Sequence, residues 1–339
     1  MQLSDFDFPF DPALVADRPV EPRDWARLLV VRRGSRTHSH RRVTDLPALL
    51  NPGDLVVVND TKVVPVRISG RKRPGGGRID LVLVKNLGGD TWEALLKGGG
   101  KPGQVIDLAS EAQAIVVQSD SFRTVIKLMS CRPIYDLLQE IGQMPLPPYI
   151  KRSPSDADHL WYQTIFARTE GAIAAPTAGL HFTNELLGAL RKRGIQIATV
   201  TLHVGPATFR PVKVEHIQDH SMPSEQMEIS KEAAAAIEQA KTGGGRVLAV
   251  GTTVVRTLES AATKNGTVFP MKGEARLFIF PGYQFRVVDG LMTNFHLPRT
   301  TLLMLVSAFT GIERLKAVYA EAIRERYRFY SYGDAMLIL

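Results

Sequence analysis

Apolar residues recur along this chain in two different rhythms, and the change from one to the other divides it. Residues 26–33 and 54–60 are apolar-rich runs, the second preceded by the turn Asn51-Pro52-Gly53, and both read as β-strands. From residue 63 to 129 the rhythm shortens. Six β-type runs (63–69, 79–85, 91–96, 104–108, 114–117 and 122–128) follow one another between glycine-rich or polar turns, the rhythm of a small antiparallel barrel. The first turn, Arg71-Lys-Arg-Pro-Gly-Gly-Gly-Arg78, has the composition of a mobile loop. Residues 134–143 predict a helix, Pro145-Leu-Pro-Pro148 forces an extended connection, and strands then alternate with helices to the end. Thr183 is placed to cap a helix with Leu186, Leu187 and Leu190 on one face, and Ser230 to cap an alanine-rich helix that stops at Gly243-Gly-Gly245. Strands are predicted over 195–204 and 246–250 and an amphipathic helix over 313–327. The simplest assembly is an α/β domain formed from both chain ends, 1–62 and 151–339, with a small antiparallel β-barrel domain inserted at 63–150.

The 339 residues suffice for two domains, and 44% hydrophobic with 22% charged residues fits an ordinary globular chain. The longest apolar stretches, such as 302–306, fall far short of the roughly 20 residues that span a bilayer, so no membrane partner is expected. The acidic N-terminus lacks the pattern of a secretory signal. A single cysteine, Cys131, excludes an internal disulfide and a cysteine-built metal cage, which fits a reducing cytoplasm. The net charge of +8 is bunched at Arg32-Arg33, Arg36, Arg41-Arg42, Arg71-Lys72-Arg73, Arg191-Lys192-Arg193 and Arg324, Arg326, Arg328. Such clusters suit an anionic partner, with nucleic acid the natural candidate, and equally suit solvated faces.

Three runs break the apolar rhythm with residues suited to a site: Glu170-Gly-Ala-Ile-Ala-Ala-Pro-Thr-Ala-Gly-Leu-His-Phe-Thr183, Thr201-Leu-His-Val-Gly-Pro-Ala-Thr-Phe-Arg-Pro211 and Leu291-Met-Thr-Asn-Phe-His-Leu-Pro298. Each combines a histidine, a threonine and an aromatic ring. His181, His203 and His296 are candidates for acid–base or hydrogen-bonding work, and each is equally readable as a core histidine. Residues 247–264 read as strand, tight turn and helix, with Gly251-Thr252-Thr253 aiming backbone N–H groups at an anion and Arg256 one turn further on. A plain capped connection has the same pattern. Asn59-Asp60-Thr61-Lys62 ends a strand where the barrel begins, a place for ligand contacts or for a turn. Neither His38-x-His40 nor His216-x-x-x-His220 makes a convincing metal site: the second lacks the glutamate of a zinc helix, and the first lies among arginines. No metal is expected. No glycine-rich dinucleotide or P-loop motif occurs.

In this order the three runs, with Asp54-Leu-Val-Val-Val-Asn-Asp-Thr-Lys62, Pro145-Leu-Pro-Pro-Tyr-Ile150, Val250-Gly-Thr-Thr253, Arg256-Thr-Leu-Glu-Ser260 and Tyr330-Ser-Tyr-Gly-Asp-Ala-Met336, resemble the S-adenosylmethionine:tRNA ribosyltransferase-isomerase family of queuosine biosynthesis. The resemblance covers nearly the whole chain and implies the same two-domain arrangement. It implies transfer and isomerisation of the ribosyl group of S-adenosylmethionine onto 7-aminomethyl-7-deazaguanine in a tRNA anticodon, giving epoxyqueuosine and releasing adenine and methionine. On that reading the chain is a monomer, with catalytic candidates His181, His203, Glu225 and His296. Substrate contacts are expected from Asn59, Thr61, Lys62, Thr177, Gly179, Phe182, Phe209, Arg210, Gly251, Thr252, Thr253, Arg256, Asn294 and Phe295. Arg41, Arg42, Arg71, Lys72 and Arg73 are the expected RNA contacts. The sulfonium would meet Phe182, Phe209, Phe295 and Glu225, and the α-carboxylate Arg256 and the Gly251 turn. The chain departs from the family pattern at Ala207, Pro223 and Val254, where glycine, histidine and a polar residue are usual. An S-adenosylmethionine-dependent RNA methyltransferase and a non-catalytic RNA-binding module are the competing readings.

Overall fold

The computed structural model describes residues 1–35, 37–120, 123–205 and 212–339. Strands β1 (Arg27–Val31), β2 (His38–Arg42), β3 (Leu55–Asn59) and β4 (Thr61–Val63) come first. Six strands follow: β5 (Arg67–Arg73), β6 (Arg78–Gly88), β7 (Thr91–Lys97), β8 (Val105–Asp107), β9 (Gln113–Ser119) and β10 (Thr124–Met129). The rest are β11 (Thr169–Ala172), β12 (Gln196–Leu202), β13 (Glu225–Ile229), β14 (Val247–Val250), β15 (Met271–Ala275), β16 (Gly290–Asn294) and β17 (Ala335–Ile338). The helices are α1 (Leu46–Leu49), α2 (Ile134–Ile141), α3 (Ala157–Trp161), α4 (Asn184–Lys192), α5 (Lys231–Thr242), α6 (Thr252–Ala261), α7 (Thr301–Thr310) and α8 (Ile312–Arg324).

A nine-stranded sheet runs in the order β15-β13-β12-β3-β14-β16-β17-β1-β2, with β12, β3, β14 and β16 mutually parallel. Strand β3 is one of its central parallel strands and is apolar on both sides because both faces are covered: Leu55 and Val57 join one core, Val56 and Val58 the other. The first core packs against α5 to α8 and the second against Leu186, Leu187 and Leu190 of α4. The start of β3 is pinned by Asp54. Burial pushes its carboxyl pKa up, but hydrogen bonds from the Arg246 side chain and from the N–H groups of Asn51 and Arg246 outweigh that and hold it below the usual range. The predicted caps form: Thr183 Oγ1 accepts from Leu186 N at 3.1 Å and Ser230 Oγ from Ala233 N at 3.1 Å.

The six strands β5 to β10 close into a barrel in the order β10-β7-β6-β5-β8-β9. Ile79, Leu81 and Leu83 show why: every second residue of β6 enters the barrel core, beside Trp92, Ile106, Val116 and Ile126. Two sequence expectations change. The run 63–69 is not one strand, since Pro65 separates β4, which pairs with β11, from β5. Arg71, Lys72 and Arg73 are not in a loop: they pair with Arg78, Ile106 and Val105 inside the barrel, and only residues 74–77 turn. The predicted strand over 122–128 begins at Thr124 among the described residues, with residue 122 outside them.

Where α2 ends, the chain returns alongside the start of the barrel, Gln143 pairing with Arg67. At Gly142 a Cβ would lie 1.9 Å from the carbonyl oxygen of Pro65 and 2.4 Å from that of Leu138, so only glycine allows this approach. Gly188, inside α4, has open space around the same position. Gly142→Ala is therefore expected to lower the melting temperature by several degrees in a calorimetric scan. Gly188→Ala is expected to raise stability by about 0.5–1 kcal/mol through helix propensity alone.

Candidate active site

The parallel strands β3, β12, β14 and β16 deliver Asn59, Leu202, Val250 and Asn294 to one edge of the sheet, the edge at which open α/β sheets bind ligands. A cleft opens there. Of the expected residues it is lined by Thr177, Gly251, Thr252, Thr253, Asn294 and His296. Gly251, at φ +96°, turns the chain from β14 into α6 and presents the N-terminus of that helix to the cleft. Two expected residues support it from behind. His181 approaches Asn294 Nδ2 through Nε2 at 3.3 Å, and Gly179 lies where a Cβ would come within 3.0 Å of the Thr164 methyl group.

Burial drives the His296 pKa down to about 3 and, with the Arg328 and Arg23 charges, that of His181 down to about 4. Both rings are neutral at physiological pH. His296 exchanges a hydrogen bond with Thr293 Oγ1 at 2.9 Å, and its backbone N–H donates to Tyr319 at 3.0 Å. These two histidines are built to hold hydrogen bonds rather than to take up protons.

A second cavity lies between the barrel and the sheet and meets the first at Val204, which lines both. His203, Glu225, Glu170, Gly171, Trp92 and Tyr135 are among its walls. The four side chains leaving β3 organise it. Asn59 bridges the backbone of Leu202 and reaches Thr253 Oγ1, and Asp60 accepts from Thr201 Oγ1 at 2.6 Å and Arg168 at 2.7 Å. Thr61 Oγ1 meets His203 Nδ1 at 2.8 Å, and Lys62 donates to Glu170 at 2.9 Å. His203 thereby keeps Nε2 as its remaining nitrogen. Burial lowers its pKa while Asp60 and Glu228 push the other way. The ring lies over Gly171, where a Cβ would stand 2.8 Å from Cε1 and Nδ1; at this glycine, φ +145°, the β11–β4 pairing slips its register.

Glu225 and Arg256 are each other's partner, joined by a buried ion pair. Glu225 also accepts from Gly205 N at 2.8 Å, and Arg256 donates to the carbonyls of Ala275 and Leu277. Arg256 is thus committed to Glu225 and the strand beside it, which corrects its expected place as a carboxylate clamp. Phe182 and Phe295 are corrected too: both are fully buried, in the two cores of the sheet, because each packs against other rings rather than facing a cleft. Phe209 and Arg210 lie outside the described residues. Arg41 and Arg42 are exposed on edge strand β2, Arg42 lying over the Trp25 ring at 5.2 Å. Arg71 is exposed on the barrel, Lys72 donates to Gly98 O at 2.6 Å, and Arg73 pairs with Asp107 at 2.9 Å.

The sequence missed the aromatic faces the first cleft does have. Tyr149 and Tyr330 line it with ring centroids 4.0 Å apart, and Tyr330 adopts φ +72°, a conformation that costs a bulky residue energy and marks functional sites. Among the described residues, Tyr330 Oη and Asn294 Oδ1 are buried without a hydrogen-bond partner. The one available signal was the motif of residues 330–336, whose tyrosine carries no residue-type hint of its backbone strain.

Comparison with known proteins decides the family. The queuosine biosynthesis protein family matches residues 3–338. The S-adenosylmethionine:tRNA ribosyltransferase-isomerases of Moorella thermoacetica and Symbiobacterium thermophilum are each 50% identical to this chain over the whole of both sequences. The chain belongs to the S-adenosylmethionine:tRNA ribosyltransferase-isomerase family. The crystal structure of the S-adenosylmethionine tRNA ribosyltransferase of Thermotoga maritima shares 34% identity and a TM-score of 0.56, covering 99% of this chain and 100% of that one. The fold of this enzyme family is therefore the fold seen here, an α/β domain with an inserted barrel. Of the three departures from the family pattern, Val254 is fully buried in the core under α6, Pro223 is exposed at the wall of the second cavity, and Ala207 lies outside the described residues.

Two outcomes follow from this geometry. Gly171→Ala is expected to push the His203 ring off Thr61 toward solvent and raise its pKa toward the ordinary 6.5, read by NMR titration of the ring protons. Because His296 and His181 have pKa values lowered from 6.5 to about 3 and about 4, the unfolded chain binds more protons than the folded one below pH 6.5. Stability is thus whole above that pH and falls as pH drops toward 4, by about 3 kcal/mol for His296 alone. His296→Gln is expected to flatten this acid limb in denaturant titrations across pH.

Proposed function

We propose that this chain transfers and isomerises the ribosyl group of S-adenosylmethionine onto 7-aminomethyl-7-deazaguanine at the wobble position of a tRNA anticodon, giving epoxyqueuosine-tRNA with release of adenine and methionine. The observation that carries the reading is the meeting of two cavities of different chemistry at Val204, beside the partly buried imidazole of His203. In this reading the first cleft takes S-adenosylmethionine. The N-terminus of α6 with Thr252 and Thr253 receives the α-carboxylate, Asn294 Oδ1 accepts a hydrogen bond from the ligand, and the Tyr149 and Tyr330 faces receive the sulfonium. Tyrosine takes the part expected of Phe182 and Phe295.

The second cavity takes the base, extruded from a single-stranded loop. Trp92 and Tyr135, 6.2 Å apart edge to face, offer stacking surfaces, and the carboxylates of Glu170 and Glu225, held by Lys62 and Arg256, line the same cavity as hydrogen-bond acceptors for the aminomethyl group. The sulfonium acidifies the adjoining ribose carbon. His203, kept neutral by burial and held through Nδ1 by Thr61, removes that proton at Nε2; adenine leaves with the electrons of its glycosidic bond and takes up a proton, the aminomethyl nitrogen as the free amine bonds to the ribosyl carbon skeleton, and methionine leaves with the electrons of the C–S bond as the epoxide closes. Arg256 holds the Glu225 carboxylate, and Glu225 holds the turn at Gly205 that follows His203. Arg41, Arg42, Arg71, Lys72 and Arg73 meet phosphates, each contact steepening the salt dependence by about 0.7–0.9 log units per decade of salt. Work as a monomer in the cytoplasm is part of the same proposal: the single cysteine, exposed and unbridged, fits a reducing compartment, and among the described residues no helix is long and apolar enough to cross a membrane.

The test is incubation with S-adenosylmethionine and tRNA bearing the aminomethyl base, following free adenine by chromatography and the digested tRNA by mass. Adenine release only with the modified tRNA, matched by a ribosyl-derived mass gain, is the expected result; S-adenosylhomocysteine in its place would establish methyl transfer instead. His203→Gln is expected to lower kcat by about 10²-fold or more with cofactor affinity kept. Glu225→Gln is expected to lower turnover as well, and undiminished turnover there would remove Glu225 from the site.

A further inference from the structure

Away from both cavities, an outer corner of the sheet gathers metal-type side chains that the reaction does not use. His38 and His40 sit at alternate positions of edge strand β2, opposite Val31 and Leu29, and so face the same side of the sheet, the side covered by α8. Glu321 of α8 comes to meet them. Its Oε1 lies 3.7 Å from His38 Nε2 and 3.3 Å from His40 Nε2, and the three ligand atoms all fall within 4.8 Å of one another. Zinc–ligand bonds of about 2.0–2.1 Å set a tetrahedral edge of about 3.3–3.4 Å, so two edges of this triangle are already near that length. Among the described residues this is the one such grouping. We propose that His38, His40 and Glu321 bind a divalent transition ion of the zinc type, which clips the free edge of the sheet to α8.

The surroundings are those of a ligand set. His40 Nδ1 lies 2.8 Å from the Tyr327 hydroxyl; with Nδ1–H donating to that oxygen, the Nε2 lone pair is free for the ion and the ring is oriented by its neighbour. His38 Nδ1 is buried without a hydrogen-bond partner among the described residues, so Nε2 is the nitrogen that this ring engages. The side chain of His40 is 40% exposed, which gives the ion an entry path and a water for its fourth position. Three arginines face the corner. Arg324 pairs with Glu321 Oε2 at 2.5 Å and leaves Oε1 to the ion, Arg27 lies over the Tyr327 ring at 3.8 Å, and Arg314 donates to Thr37 O at 2.7 Å. Arg324 is 70% exposed, so its charge is screened. The sequence argued against a metal here because it set His38 and His40 among arginines and gave no sign that an acid from α8 reaches them.

The experiment uses the full chain without a histidine tag, carrying Cys131→Ser to remove the exposed thiol, freed of metal and titrated with Co²⁺ by visible absorption and with Zn²⁺ by calorimetry. One ion per chain is expected, with the visible bands of a low-coordinate Co²⁺ site. His38→Gln, His40→Gln and Glu321→Gln should each weaken binding by tenfold or more, and Tyr327→Phe by about tenfold through the lost orienting contact. Zn²⁺ should raise the melting temperature of the parent and leave that of the His38→Gln/His40→Gln double variant unmoved, the metal-free melt of each variant showing that it folds. Equal binding by parent and double variant, or no saturable binding in the micromolar range, overturns the proposal. Neither result bears on the transfer reaction, which is read separately by adenine release.

Discussion

Everything around the site hangs from the four residues that leave the central strand. Asn59, Asp60, Thr61 and Lys62 each spend their side chain on a different neighbour: the end of β12 and α6, Thr201 with Arg168, His203, and Glu170. Backbone bonds repeat the pattern, with Asp60 N donating to Val200 O at 3.0 Å and Asp60 O accepting from Arg168 N at 2.8 Å. Asp60 is almost wholly buried, so a carboxylate left without Thr201 and Arg168 would be costly to desolvate. These bonds are therefore obligatory, and they fix where β12 ends, where β11 pairs and where the barrel begins. The position of His203 is a consequence.

Burial then sets the chemistry of what this tether positions. The three histidines of the dense runs share one direction of pKa change, but to different ends. His181, enclosed behind Asn294, and His296, deeply buried at the wall of the first cleft, are driven so low that they act as fixed neutral hydrogen-bonding groups, whereas His203 is less buried at its cavity and has Asp60 and Glu228 opposing the shift. Of the two that line a cavity, His296 and His203, only His203 is left basic enough to take up a proton. The Glu225–Arg256 pair follows the opposite logic: two charges too buried to stand alone hold each other, and the backbone at Gly205, Ala275 and Leu277 takes up their remaining bonds. A buried pair of this kind fixes position at little net gain in stability.

What the sequence made legible was what local residue order controls. Continuous apolar runs marked the doubly covered strands, short alternating runs marked the barrel, and Thr183 and Ser230 marked helix starts to the residue. The dense runs and the Gly251-Thr252-Thr253 turn reached the cleft because they lie at strand ends, so Thr177, Thr252, Thr253, Asn294 and His296 were found together. Failures came where a residue type suits two environments. A phenylalanine serves a cleft or a core equally, and Phe182 and Phe295 went to the core. Tyr330 was passed over because its φ, not its side chain, sets it apart. The pairing of Glu225 with Arg256, and the approach of Glu321 to His38 and His40, join elements that only the folded sheet brings together.

The barrel's point of insertion has a mechanical consequence. It enters the chain at the C-terminal end of the central strand, the edge on which both cavities open, rather than at a peripheral loop. The first cleft is enclosed by residues 175–178, by the connections after β14 and β16 and by residues 330–331, with Tyr149 the one wall drawn from the inserted segment and none from the barrel strands, so its shape is set mainly by the sheet. The second is walled on one side by Val66, Trp92 and Glu93 of the barrel region and on the other by His203 and Glu225. A displacement of the barrel therefore alters the second cavity more directly than the first, which it reaches through Tyr149 and the shared Val204. It acts on His203 through β4, since Thr61 of that strand holds the imidazole and β4 carries the chain into β5. Under the proposed function, the cleft assigned to S-adenosylmethionine is shaped mainly by the sheet, and the cavity assigned to the base is the one that an RNA gripping the barrel would shape.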